Sequence, residues 1–296
     1  MTQPGDSIMT LPPVYYPFFS AVTANDRKLV LCPLRREGER YEMDYADMEE
    51  KMASEHVRML IFCSPHNPVG RVWTREELEK LVKLCRKHNV TIVSDEIHQD
   101  FVFAPAKHIP LATLEPNAVT LTAPSKTFNL AGMQTAVAII PQDSIREKWD
   151  AFTKRLHLNS GSTFGYLAGE AAYLHGAPWL EELKQIIHGN YLFLREKLLA
   201  ALQCRSDTAL TAEDLLTGIL HNRLGRVLTK AAGVSITAAD VVMMKSVKSL
   251  MRECSNSIRC KKVSLRVRCA RRDENYVFCF TASFQETALY IHLVLH

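Results

Sequence analysis

The chain has 296 residues, 47% of them hydrophobic and 23% charged, with a formal net charge of +4. This length suits one large or two ordinary domains, and the composition suits a packed core rather than wholesale disorder. So small a net charge is no footprint for nucleic acid or an anionic membrane, and no run approaches the roughly 18 apolar residues of a spanning helix. The charge is uneven, however. Residues 1–204 carry 22 basic and 24 acidic side chains, and residues 205–296 carry 14 and 8, so the chain is divided near residue 204 into a 1–204 domain and a basic 205–296 segment. None of the eight cysteines forms a CxxC pair, and the start, MTQPGDSIMT, has neither a basic region nor an apolar run. A cytoplasmic protein with free thiols and no leader is expected.

The first clear element is VRMLIFC (57–63), a short apolar run that ends at Ser64-Pro65 and reads as a buried strand. After the SPHNPVG loop, Thr74 and Glu77 form a capping box, and Leu78, Leu81, Val82 and Cys85 make a helical stripe. VTIVSDE (90–96), AVTLTA (118–123) and TAVAII (135–140) read as further strands. Continuous apolar runs separated by helices are what a sheet covered on both faces requires, so a three-layer α/β/α fold with a mostly parallel sheet is expected. From residue 143 the pattern turns helical, over Ser144–Leu156, Phe164–His175 and a long helix from Pro178 to about Leu202. One more helix is expected over 210–224; beyond Arg226 no pattern is assigned.

Three short segments follow three successive strands: Asn67-Pro68-Val69-Gly70, Asp95-Glu96-Ile97-His98 and Ser125-Lys126-Thr127-Phe128-Asn129. In a parallel sheet the strand carboxyl ends line one edge, where ligands bind. Asn67 and Lys126, 59 residues apart, can therefore meet. A partly desolvated lysine is an amine nucleophile, a carboxylate can keep a heteroaromatic nitrogen protonated, an amide can donate to a phenolate, and hydroxyls can bind phosphate. Together these are what pyridoxal phosphate asks of a protein. His98, Asp100 and His108 have no third partner at a recognised metal-ligand spacing, so no metal site is expected. The cysteines at 254, 260, 269 and 279 also lack paired spacing.

The motifs CSPHNPVGRVWTREEL, SDEIHQDFV, APSKTFNLAGMQ and HGAPWLEEL resemble the fold-type-I pyridoxal-phosphate enzymes of the class I/II aminotransferase superfamily, within it the cystathionine β-lyase type of carbon–sulfur lyase. The likeness runs from about Leu11 to Leu202. It implies that Lys126 carries the cofactor as a Schiff base and acts as general base at Cα. It also implies that Asp95 pairs with the pyridine nitrogen, that Asn67 binds the ring 3-oxygen, and that Ile97 and Tyr15 pack on the two ring faces. Ser125, with Thr122, would hold the phosphate. His98 stands where most aminotransferases of the superfamily have Tyr, as in the lyase branch. The implied reaction is β-elimination from a small sulfur amino acid, giving a thiol, pyruvate and ammonia, in a homodimer with no nucleic-acid or membrane partner. The rival expectations are an aminotransferase of the same superfamily and a non-catalytic remnant.

The sequence also departs from the family. Residues 1–10 cannot stand in for its glycine-containing phosphate turn, so an N-terminal truncation is expected. Neither the G-x-Y-x-x-W-like pattern after Leu202 nor the carboxylate-binding R-x-N segment is recognisable, and Arg266 and Arg268 do not match that segment's surroundings. A gap near Ala201–Arg205, a reading-frame change near Arg226 and impaired activity are the corresponding expectations.

Overall fold

The computed structural model describes residues 1–38, 40–158 and 161–203, without the side chains of 194–203. The expected helix at 210–224, the proposed frame change and Arg266 and Arg268 lie outside the described residues. Met1–Gly189 fall in one compact unit, and Asn190–Gln203, the end of the last helix, in a second.

The described elements run in the order β1 (Ser7–Thr10), α1 (Pro17–Thr23), β2 (Lys28–Leu31), β3 (Arg35–Glu37), β4 (Arg40–Glu42), α2 (Tyr45–Ser54), β5 (Val57–Cys63), α3 (Arg75–Lys87) and β6 (Thr91–Asp95). They continue with β7 (Val119–Thr122), α4 (Pro124–Thr127), β8 (Val137–Ile139), α5 (Asp143–Arg155), α6 (Thr163–His175) and α7 (Ala177–Gln203). Six strands form one sheet in the order β2-β1-β5-β6-β7-β8. All neighbours are parallel except β7 and β8, and β3 pairs with β4 as a separate antiparallel hairpin.

The strands look uniformly apolar because both faces are covered, but their side chains still alternate. Leu60 and Phe62 of β5 join a core with Met48 and Met52 of α2 and Leu78, Leu81, Val82 and Cys85 of α3. Met59, Ile61 and Cys63 face the other way, into a core with Phe18 and Val22 of α1, against which Ile145 and Trp149 of α5 pack. This is the expected three-layer arrangement. The capping box of α3 is present: the Glu77 N–H donates to Thr74 Oγ1 (3.3 Å) and the Thr74 N–H to Glu77 Oε2 (2.7 Å).

The elements before Val57 escaped the sequence reading for a physical reason. β1 and β2 have four residues each, too few for a period to register, and β1 carries Ser7 and Thr10. The start of α2 had a usable signal: Asp44 caps it by accepting from the Asp47 N–H (3.2 Å), ahead of Met48 and Met52 at helical spacing. Among the described residues no helix is long and apolar enough to cross a membrane.

Candidate active site

β1, β5, β6 and β7 are successive parallel neighbours, so their carboxyl ends lie side by side. Register sets their heights: Thr10 is opposite Ile61, Cys63 opposite Asp95, and Asp95 opposite Leu121. Tyr15 follows β1, Asn67 follows β5, Asp95 ends β6 with Ile97 and His98 just beyond, Thr122 ends β7, and Ser125 and Lys126 sit on α4. All eight residues singled out in the sequence thus lie along one sheet edge, the edge at which parallel sheets bind ligands.

Lys126 is partly buried on a single helical turn whose first residue, Pro124, has a φ already suited to a helix start. Its ammonium is close enough to act electrostatically on both Asp95 and His98. Asp95 is 2% exposed. Burial pushes its carboxyl up to about 7; Glu96 adds to this, while a hydrogen bond from the Ile97 N–H to Oδ1 (3.2 Å) and the Lys126 charge oppose it. That bond is an Asx-type turn, so Asp95 shapes its own loop as well. Loss of hydration holds the partly exposed His98 down to about 4, and the Lys126 charge acts in the same direction. The imidazole is therefore neutral near pH 7.

Among the described residues, the buried Ser125 and Thr122 hydroxyl oxygens have no hydrogen-bond partner, as is also true of Thr10 at the end of β1. Buried hydroxyls are normally bonded, so these, at the same sheet edge as Lys126, have unused donor capacity. Behind them, α6 closes on the lysine turn. A Cβ at Gly165 would lie 1.8 Å from Thr135 Oγ1 and 2.8 Å from the Met133 carbonyl oxygen. The Phe128 ring meets Tyr173 edge-on at 5.2 Å.

Asn67 sits in a loop whose Ser64–Pro65 and Asn67–Pro68 bonds are cis. Its N–H donates to Cys63 Sγ at 3.4 Å. The neighbouring His66 is 1% exposed, and its Nε2 lies 3.0 Å from the Pro13 carbonyl oxygen. A carbonyl only accepts, so Nε2 carries the proton, and the contact ties the loop of Tyr15 to the loop of Asn67. Tyr15 is half-buried and edge-on to Phe18 at 5.6 Å and 85°. It thus shares in the aromatic packing against the inner core as well as standing at the site edge.

Sequence reasoning missed the groups that hold these loops. Glu96, 1% exposed, accepts from Ser94 Oγ (2.8 Å), the Leu111 N–H (3.0 Å) and His108 Nε2 (2.7 Å). Asp100 accepts from Thr127 Oγ1 at 2.7 Å. His108 and Asp100 are therefore engaged with separate partners. Two acids placed on either side of Ile97-His98 were the signal available, but their partners lie 12 and 27 residues away.

Comparison with known proteins gives four related findings. The profile of the family described as aminotransferase class I and II matches residues 1–276. Cystathionine beta-lyase PatB of Bacillus subtilis (strain 168) is 45% identical over 193 residues, which are 64% of this chain and 50% of that protein. Among solved structures, the PLP-bound C-S lyase from Staphylococcus hominis is 32% identical with a TM-score of 0.64, over 68% of this chain and 51% of that one. Cystalysin from Treponema denticola, which contains a pyridoxal 5'-phosphate cofactor, is 38% identical with a TM-score of 0.61, over 66% and 50%. The chain spans about half the length of the curated relatives it matches. With the profile matched over most of its length, this chain belongs to the aminotransferase class I and II family.

Proposed function

We propose that this chain provides the pyridoxal-phosphate site of a carbon–sulfur β-lyase acting on cystathionine or a related cysteine conjugate. The observation that supports it most is a lysine within electrostatic reach of a buried carboxyl held near pKa 7, just after two buried hydroxyls that have no partner among the described residues.

These residues fit the cofactor. The Ser125 and Thr122 hydroxyls would donate to phosphate oxygens, Asp95 would face the pyridine nitrogen, and Asn67 the ring 3-oxygen. Ile97 and Tyr15 would pack on the two faces. When bound, pyridoxal phosphate supplies an electron sink for charge left on the substrate Cα. Lys126 Nζ would anchor the cofactor covalently, give way to the substrate amine and then take the Cα proton. A carboxyl held near pKa 7 by burial can share a proton at the pyridine nitrogen without a large energetic penalty. The Cβ–S bond would then break with its electron pair leaving on sulfur, and water would complete the reaction to pyruvate and ammonia. Neutral His98 places no extra cation beside Lys126, and a histidine at this position favours the lyase over the aminotransferase. The reading extends to a homodimer in a reducing cytoplasm, consistent with the free, buried thiols of Cys32, Cys63 and Cys85.

The test is to supply L-cystathionine and pyridoxal phosphate without a keto acid. Equal amounts of pyruvate and thiol are expected. Amino transfer to an added keto acid without thiol release would replace the lyase with a transaminase, and failure to take up cofactor would favour a non-catalytic chain.

A further inference from the structure

Lys126 rides on a four-residue helix with no side-chain cap. One turn has no cooperative stability of its own, so its direction must be set by its neighbours. Its backbone bonds, Phe128 N–H to the Pro124 carbonyl (2.9 Å) and Leu130 N–H to the Ser125 carbonyl (3.0 Å), close the turn on itself. They do not aim it. The loop carrying Asp95 is, by contrast, firmly built. The Glu96 N–H donates to the Leu121 carbonyl (2.8 Å), the Gln99 N–H to the Glu96 carbonyl (2.9 Å) and the Phe101 N–H to the His98 carbonyl (3.0 Å). Glu96 adds its three side-chain bonds to Ser94, His108 and Leu111.

A single side-chain hydrogen bond joins that loop to the lysine turn among the described interactions, from Thr127 Oγ1 to Asp100 Oδ2 at 2.7 Å. Thr127 is 1% exposed and directly follows Lys126. A short bond from a buried hydroxyl to a carboxylate belongs to the stronger class of hydrogen bonds, and its loss strands the hydroxyl.

We propose that Asp100 and Thr127 are positioning residues: their hydrogen bond is a strap that fixes the Lys126 turn against the Asp95 loop, and so sets the approach of the amine to the cofactor aldehyde. The strap rests on the pyridoxal-phosphate reading of the site and deepens it. Neither residue is assigned a cofactor contact in that reading; both act through the direction of Lys126.

The experiment uses the full chain with Thr127→Val, Thr127→Ser and Asp100→Ala. Two rates are measured at Lys126 by peptide mapping: borohydride-trapped capture of pyridoxal phosphate, and labelling of the cofactor-free chain by trinitrobenzenesulfonate. Thr127→Val should slow capture about tenfold or more, since small misplacements of a reacting group are costly. It should also change the labelling rate, while circular dichroism stays that of the unaltered chain. Thr127→Ser, which keeps the hydroxyl, should restore both rates. Asp100→Ala removes the acceptor from the partly exposed partner and should reproduce the valine result even if Thr127→Val does not fold. Capture and labelling within about twofold of the unaltered chain in the folded variants would overturn the strap. Absence of capture at Lys126 in the unaltered chain would overturn the cofactor reading, and the strap's role with it.

Discussion

The segments that follow β5 and β7 leave the same sheet edge and are built to opposite standards. After β5, the side chains from Arg71 onward bond largely to one another, although His66 Nδ1 and Arg71 Nε have no hydrogen-bond partner among the described residues. Trp73 Nε1 donates to the Cys63 carbonyl (3.1 Å), Arg71 pairs with Glu77 and lies 4.7 Å over the Trp73 ring, and Thr74 and Glu77 close the capping box of α3. The thirteen-residue helix then buries Leu78, Leu81, Val82, Leu84 and Cys85. After β7, the helix is one turn long and has no side-chain cap, and the Thr122 and Ser125 hydroxyls just ahead of Lys126 have no hydrogen-bond partner among the described residues. Natural chains break local rules where a ligand is to complete them. The helix that follows the first segment is built for stability, whereas the turn after β7 leaves polar capacity that the proposed cofactor would use.

The comparison breaks if mutations in the two segments have the same kind of effect. The largest is expected at Asp95. Asp95→Asn should lower lyase turnover on the order of 10²–10³-fold, as for loss of one preorganised electrostatic group. In the cofactor-free chain its effect has the opposite sign. A carboxyl raised from 3.8 to about 7 favours the fold fully below its ordinary pKa, and this contribution is lost as pH rises toward 7. The unfolding free energy of the unaltered chain relative to Asp95→Asn should thus fall between about pH 4 and pH 7, by up to about 4 kcal/mol. His66 and His98, both held down to about 4, contribute stability above pH 6.5 that is lost toward pH 4. That trend is common to both proteins and cancels in the difference.

Leu81→Ala, at a fully buried position of α3, should cost about 2–5 kcal/mol in denaturant unfolding and leave cofactor capture by the folded fraction unchanged. Ser125→Ala should do the reverse: about tenfold weaker cofactor affinity by equilibrium dialysis, with stability of the cofactor-free chain unchanged or slightly raised, because an unpaired buried hydroxyl is removed. The smallest effect is expected at the cap. Thr74→Ala should cost about 1 kcal/mol by thermal or chemical unfolding and nothing in cofactor affinity. A stability loss at Ser125 as large as that at Leu81 would erase the distinction.

The sequence displays the same contrast. β5, α3, β6 and β7 were legible because hydrophobic period, cap and turn residues agree there; α5, α6 and α7 begin within one residue of the positions read from the chain. β1, β2 and the β3–β4 hairpin were not, since runs of three or four residues leave no periodic signal and their pairing is non-local. The candidate residues could be singled out because three ordered motifs lie at or just beyond strand ends, and the family resemblance supplied their implied roles together with Tyr15 and Thr122. The supports could not. Glu96–His108, Asp100–Thr127 and His66–Pro13 are contacts between segments 12 to 53 residues apart, and only the folded sheet brings them together.

The most direct measurement is borohydride reduction of the purified chain after addition of pyridoxal phosphate, followed by peptide mapping. One pyridoxyl group per chain on Lys126, lost in Lys126→Ala with its circular dichroism unchanged, is the predicted result. Labelling spread over surface lysines, with Lys126 no more modified than the rest, would contradict the account.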